Sequence, residues 1–228
     1  MLYPADIPWW MLVNRASVIR AAAEIGPDGG LLVLSGPQTF GHMEALSFVA
    51  KQLERFGWRC HDLSTTGPIS AASVALDGMD AVFPAEPGSI PQRAQLAGLG
   101  LATLRRRVTD LLVQRRDRNA WFVPYVDHSG PLSPADLDFL AGLVSRELTI
   151  VVTSVASSDW DQVDCDIVEL TPFSELHVEL CLRRQGLTAL VEDWADYATS
   201  ITLPDGGVHP TAAYVWLQTV APGEERMA

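Results

Sequence analysis

The stretch Leu31-Leu32-Val33-Leu34-Ser35-Gly36-Pro37-Gln38-Thr39-Phe40-Gly41-His42-Met43-Glu44-Ala45-Leu46 decides how this chain is read. Its opening run, LLVLS, is short, apolar and bounded by Gly30 and Gly36, the pattern of a strand buried on both faces. From His42 to Arg55 the period changes. Met43, Leu46, Val49, Ala50 and Leu53 recur at helical spacing, and Gly57 stands where a helix C-terminal cap belongs. A strand, a glycine loop and a helix in that order aim backbone N–H groups at an anion. Glycine in such a turn also serves backbone geometry alone, so the surrounding order of elements has to carry the argument.

Working outward, RASVIRAAAEIG predicts a helix from Arg15 to Ile25, and WRCHDLS a second strand. Residues 65–91 are rich in Gly, Pro, Ser and Ala and offer only a weak apolar segment, DAVF. One long helix is expected over Gln92–Arg116. AWFVPYVD, Ala120–Asp127, reads as a third strand in which Pro124 is unusual. Ser133 is an N-cap and Pro134 a first helical residue, with Leu137, Leu140 and Val144 on one face. LTIVVTS and DIVELTPF supply strands four and five. Helices near Ser174–Gln185, Thr188–Ser200 and Pro210–Val220 follow. Alternation of strand and helix, then helices alone, predicts a three-layer α/β fold: a mostly parallel five-stranded sheet with a small C-terminal helical part beside it.

Composition narrows the function classes. Sixteen Lys+Arg against 28 Asp+Glu give a net charge of −12, which repels a polyphosphate backbone, so nucleic acid is not an expected partner. No apolar run approaches the roughly 20 residues of a membrane span, and no basic-then-apolar leader opens the chain, so a cytoplasmic protein is expected. Cys60, Cys165 and Cys181 lack CxxC spacing and read as reduced, mostly buried thiols rather than metal ligands or disulfides.

The loop's chemistry departs from its shape. The phosphate-binding pattern GxxxxGK[ST] uses lysine for the outer phosphates and a hydroxyl for magnesium. Here those positions hold His42 and Met43, and a thioether does not serve Mg²⁺. Lys51 is the only lysine, about 13 Å further up the helix. Downstream, Phe122-Val123-Pro124-Tyr125-Val126-Asp127-His128 ends an apolar strand with one acid where two would be needed. His128 is a weak general-base candidate, since imidazole titrates near neutral pH.

In the order of its segments the chain resembles the STAND branch of the AAA+ related P-loop ATPases, over roughly residues 12–220. Leu12-Val13-Asn14-Arg15 looks like the family's N-terminal V-G-R-E segment, with Asn14 for its glycine and Ala16 for its acid. Gly36 to Met43 matches Walker A and Val123 to Asp127 matches Walker B. Thr149–Ser154 resembles the sensor strand without its terminal arginine. Leu170-Thr171-Pro172-Phe173-Ser174 is similar to the junction before the lid, and Gly206-Gly207-Val208-His209-Pro210 to the lid's T-G-G-x-P turn. The resemblance implies a P-loop NTPase-like α/β domain over 1–172 and a helical lid-like subdomain over 173–228. It also implies, if nucleotide binding is retained, a site made of Asn14, Arg15, Gly36, Pro37, Gly41, His42, Met43, Asp127, His209 and Pro210. Catalytic and metal-binding residues are expected to be absent.

Other constellations are weaker. Asp127-His128-Ser129 cannot form a relay, because neighbours on a strand face opposite ways. A cluster of His42, His61, His128, His177 and His209 around a metal is not favoured. Arg105-Arg106-Arg107 and Arg115-Arg116-Arg118 suit either a solvated helix face or an anionic partner, with Arg105 and Arg116 on related faces. Tyr3, Ile7, Trp9 and Trp10 suit either a docking surface or packing on the chain itself. The expected function is a pseudo-ATPase without hydrolysis, a regulatory or interaction subunit needing no cofactor and pairing with a protein, such as an active P-loop relative. A switch holding ATP or ADP is the second expectation, and a weakly active ATPase the third.

Overall fold

The computed structural model describes residues 15–37, 40–63, 70–85, 92–123, 133–154 and 160–220. Five strands, β1 (Leu31–Ser35), β2 (Arg59–Asp62), β3 (Asn119–Val123), β4 (Leu148–Ser154) and β5 (Asp166–Glu169), pair in the order β2-β3-β4-β1-β5. Every pairing among them is parallel, so the sheet is wholly parallel where a mostly parallel one was expected. β1 lies between β4 and β5, with Ser35 level with Ser154 on one side and Glu169 on the other.

Alternation along the strands builds two cores. Leu31 and Val33, Trp121 and Val123, and Ile150 and Val152 face one layer; Leu32 and Leu34, Ala120 and Phe122, and Val151 face the other. The second layer contains α1 (Ala16–Ile25) and α2 (His42–Arg55), whose Ala45, Leu46, Phe48, Val49 and Leu53 form the buried stripe. The first contains α3 (Ala71–Val82), α4 (Gln92–Leu96), α5 (Leu101–Arg115) and α6 (Pro134–Ala141). Both faces of β1, β3 and β4 are covered, which is why these strands read as continuous apolar runs rather than alternating ones.

Three helical expectations are corrected. The stretch around residue 78, for which only a weak apolar segment was expected, contains α3, of which DAVF is only the end; Ser70 and Ser73 close a capping box at its start. Its buried positions Ala71, Val74, Ala75, Gly78, Met79 and Val82 keep helical period but are mostly small. Gly78 is small because the Trp121 indole lies on it: a Cβ there would be 2.4 Å from the ring. The single helix expected over 92–116 is two, broken after Leu96 where Gly98 adopts φ +83°, and Arg116 is a left-handed C-cap outside the helix at φ 59°. α6 is capped by Ser133 as expected but ends at Ala141, short of Val144.

A third cluster gathers α7 (Glu175–Arg184), α8 (Leu190–Ser200) and α9 (Pro210–Val220) around Phe173, Val178, Leu182, Trp194, Tyr214 and Leu217. Among the described residues no helix is long and apolar enough to cross a membrane.

Candidate functional site at the end of strand β1

The loop leaves the sheet between its two neighbours. The Gly36 N–H donates to the Ser154 carbonyl at 3.0 Å, while the Leu170 N–H donates to Ser35 at 2.7 Å. Gly36 has φ +148°, and a Cβ on it would meet the Leu170 carbonyl oxygen at 2.9 Å. The Phe40 N–H donates to the Pro37 carbonyl at 2.9 Å; Gln38 and Thr39 lie outside the described residues. Gly41 sits at φ +79° as the N-cap of α2, and its carbonyl accepts from Ala45 at 3.0 Å. The glycines at 36 and 41 therefore both occupy backbone conformations that favour glycine.

Arg15, at the start of α1, is where the structure goes beyond the sequence. It is 1% exposed, and its Nη2 donates to the carbonyls of Phe40 at 3.0 Å and Gly41 at 3.3 Å. Its guanidinium carbon lies 5.0 Å from the Tyr214 ring centroid and 5.6 Å from that of Phe173. The two rings meet edge to face at 4.9 Å. Burial pulls the Arg15 pKa down; Tyr214 and Glu44 oppose the shift, and Tyr214 also hydrogen-bonds it. Burial pushes the Tyr214 phenol up, with Arg15 opposing. A cation removed from water is thus held by two carbonyl dipoles and two ring faces. The crowding extends to Gly41: a Cβ there would lie 2.6 Å from Arg15 Nη2 and 2.9 Å from Tyr214. Loop, α1 and α9 are one packed unit. In the sequence Phe173 appears only within the junction before the lid and nothing local distinguishes Tyr214 from other core aromatics, so their contact with Arg15 has no local signal.

The other expected site residues differ in exposure. His42, the first residue of α2, is buried, whereas Met43 beside it is 59% exposed. Pro37 is exposed at the loop's start. His209 caps α9: its Nδ1 accepts from the Ala212 N–H at 3.4 Å, and its carbonyl from Ala213. Pro210 follows as a buried first helical residue. Tyr214, one turn on, brings this end of α9 against Gly41. Asn14, Asp127 and His128 lie outside the described residues, as do Tyr3, Ile7, Trp9 and Trp10.

The arginine clusters are not one solvated face. Arg115 donates to the Val82 carbonyl at 2.6 Å, pairs with Asp117 at 2.8 Å and lies over Phe83. Arg118 binds the carbonyls of Phe56, Gly26 and Pro27 and lies 4.1 Å from the Trp58 ring centroid. Arg105 approaches Asp138 at 3.9 Å. The three cysteines are unbridged and half-buried rather than mostly buried. Among the described residues no three His, Cys, Asp or Glu side chains are grouped to hold a metal ion.

Solved structures share this fold. Cdc6p from Pyrobaculum aerophilum matches 95% of the chain at 11% identity with a TM-score of 0.58. The ORC2 protein of Aeropyrum pernix, solved as ADPNP-ADP complexes, matches 95% at 12% identity with a TM-score of 0.60. The fold is that of the P-loop NTPases. A signal transduction ATPase with numerous domains (STAND) protein with a tetratricopeptide repeat sensor, from Pyrococcus horikoshii, matches 90% at 14% identity with a TM-score of 0.51. The chain spans 65%, 63% and 30% of these three proteins. No protein-family model and no curated protein matches the sequence. At these identities the likeness concerns the AAA+-like P-loop architecture alone.

Proposed function

We propose that this P-loop NTPase-like chain is a pseudo-ATPase: a cytoplasmic regulatory or protein-interaction subunit that does not hydrolyse nucleotide. Residues 1–172 form its α/β domain and 173–228 its lid-like subdomain. The observation that carries the reading is at the start of α2, where an exposed thioether, Met43, follows a buried imidazole, His42. An active loop presents an ammonium and a hydroxyl at those two positions. The partner is a protein, such as an active P-loop relative.

The second reading, a switch that holds ATP or ADP without turnover, draws on the backbone. Gly36 and Gly41 stand at the spacing of a phosphate loop and both have positive φ, and amide donors do not depend on lysine. Its site comprises Asn14, Arg15, Gly36, Pro37, Gly41, His42, Met43, Asp127, His209 and Pro210.

One titration separates the readings. Thermal unfolding is followed with ATP, ADP and Mg²⁺, because a ligand of the folded state raises apparent stability by mass action. An unchanged midpoint and no phosphate release are expected. A rise of several degrees overturns the first reading in favour of the switch, and phosphate release abolished by Asp127→Ala overturns both.

A further inference from the structure

Among the arginines left over once the packed ones are removed, an adjacent pair on α5 points to a second site. Arg106 and Arg107 are exposed on α5 and make no ion pair or hydrogen bond among the described residues, unlike Arg105, Arg115 and Arg118. Adjacent cations without partners are unexpected in a chain of net charge −12, whose carboxylates outnumber its cations. They line a cleft of about 530 Å³ at the α4–α5 corner, together with Gln95, Leu96, Leu99, Thr103 and one carboxylate, Asp110.

Apolar surface flanks the same corner. Leu99 is 37% and Leu101 39% exposed, on the segment that the Gly98 break carries out of α4. Further along α5, Val113 is 48% exposed, seven residues and so two turns beyond Arg106. Leu104, Val108 and Leu112 hold the opposite face of α5 in the core, so the outer face is free of packing duty.

We infer that the α4–α5 corner docks an acidic segment of a partner protein that carries large apolar side chains. Its carboxylates meet Arg106 and Arg107, and its apolar residues cover Leu99 and Val113. Charge complementarity selects the occupant. A second copy, itself strongly acidic, and a nucleic acid are the competing occupants; exposed leucines offer nothing to phosphate, which favours the protein. The inference stands whatever the loop does with nucleotide, because α5 lies on the opposite layer from α2.

The test uses the full chain and a fluorescent synthetic peptide of alternating Glu and Leu, read by anisotropy. Saturable binding is expected, weakened about tenfold or more by Arg106→Glu/Arg107→Glu, by Leu99→Asp, and by salt raised from about 50 to about 500 mM. Arg106→Gln/Arg107→Gln, which introduces no new charge, weakens it in the same direction, and circular dichroism confirms folding of each variant. A control peptide with Ser in place of Leu binds at least about fivefold more weakly. Equal affinity for the Ser peptide reduces the effect to bulk charge and overturns the proposal. Tighter binding of a single-stranded oligonucleotide of equal charge overturns it in favour of nucleic acid. Self-association lost in the arginine variants overturns it in favour of a second copy, and unchanged affinity in those variants removes the corner altogether.

Discussion

The Arg15 guanidinium carbon lies 5.0 Å from the centre of the Tyr214 ring, joining the residue before α1 to the second turn of α9 across almost two hundred residues of chain. The same guanidinium holds the Phe40 and Gly41 carbonyls, so the phosphate-type loop and the C-terminal helices share one cation. In an isolated loop those carbonyls would face water. Here their orientation is set by a residue that the C-terminal helices enclose.

Arg15→Ala is therefore expected to lower unfolding free energy by about 2–4 kcal/mol, combining lost charge-assisted hydrogen bonds with a lost desolvated cation–ring contact. Arg15→Lys keeps the charge but not the planar fork and should recover only part of the loss. Urea unfolding followed by circular dichroism measures both. A loss below about 0.5 kcal/mol for the alanine variant would show that the contact is incidental.

Gly41 carries a separate cost. Any side chain there meets Arg15 Nη2 at 2.6 Å and must also adopt φ +79°. Gly41→Ala should destabilise by about 1–3 kcal/mol from backbone strain and crowding together. Met43→Ser, at an exposed position of the same helix, should stay within about 0.5 kcal/mol of the parent. Comparing the two thermal midpoints tests whether the loop's end is fixed by packing.

What the sequence made legible follows from physical scale. β1, α2, β4 and α9 fall where apolar period and punctuation place them, because strands covered on both faces and a helix ended by Gly57 leave local signatures. α3 leaves little local signature: much of its buried face is Ala71, Ala75 and Gly78, too small to register as a stripe, and the smallness at Gly78 answers to Trp121 in a strand some forty residues away. The break at Gly98 was missed because helical period continues on either side of it. In the site, the sequence marks Gly36, Gly41 and Arg15. It cannot mark the contact of Phe173 and Tyr214 with Arg15, which exists only once the C-terminal helices close on the loop.

Gly78 offers a test in which two rules oppose each other. On helix propensity alone, Gly→Ala in a helix interior gains about 1 kcal/mol. Yet the added methyl would stand 2.4–2.5 Å from three atoms of the Trp121 indole, which is wholly buried and cannot retreat without disturbing β3. Overpacking should win, and Gly78→Ala should be net destabilising by about 1–2 kcal/mol. Pairing it with Trp121→Phe, which makes room, should restore part of that loss and reveal coupling in a double-mutant cycle. Strict additivity of the two changes would contradict the contact.

The thiols set an alkaline limit. Burial, with Glu54 adding to it, pushes the Cys60 thiol from 9.0 up to about 12, and its Sγ–H donates to the Ala50 carbonyl at 3.5 Å. Burial likewise raises Cys165 to about 11, with Asp166 and Asp164 contributing. Well below pH 9 both thiols are neutral in the folded and unfolded chain alike, and their contribution to stability is complete. As pH rises from about 9 toward 12 the unfolded thiols ionise first, so stability falls across that window. Urea midpoints between pH 8 and 11 should show the decline, and Cys60→Ala should make it shallower. In the native protein at pH 8, Cys60 should react with a thiol-specific disulfide reagent far more slowly than free cysteine, because the thiolate is the nucleophile. Labelling at the free-cysteine rate would mean that Cys60 is not shielded by its contact with α2.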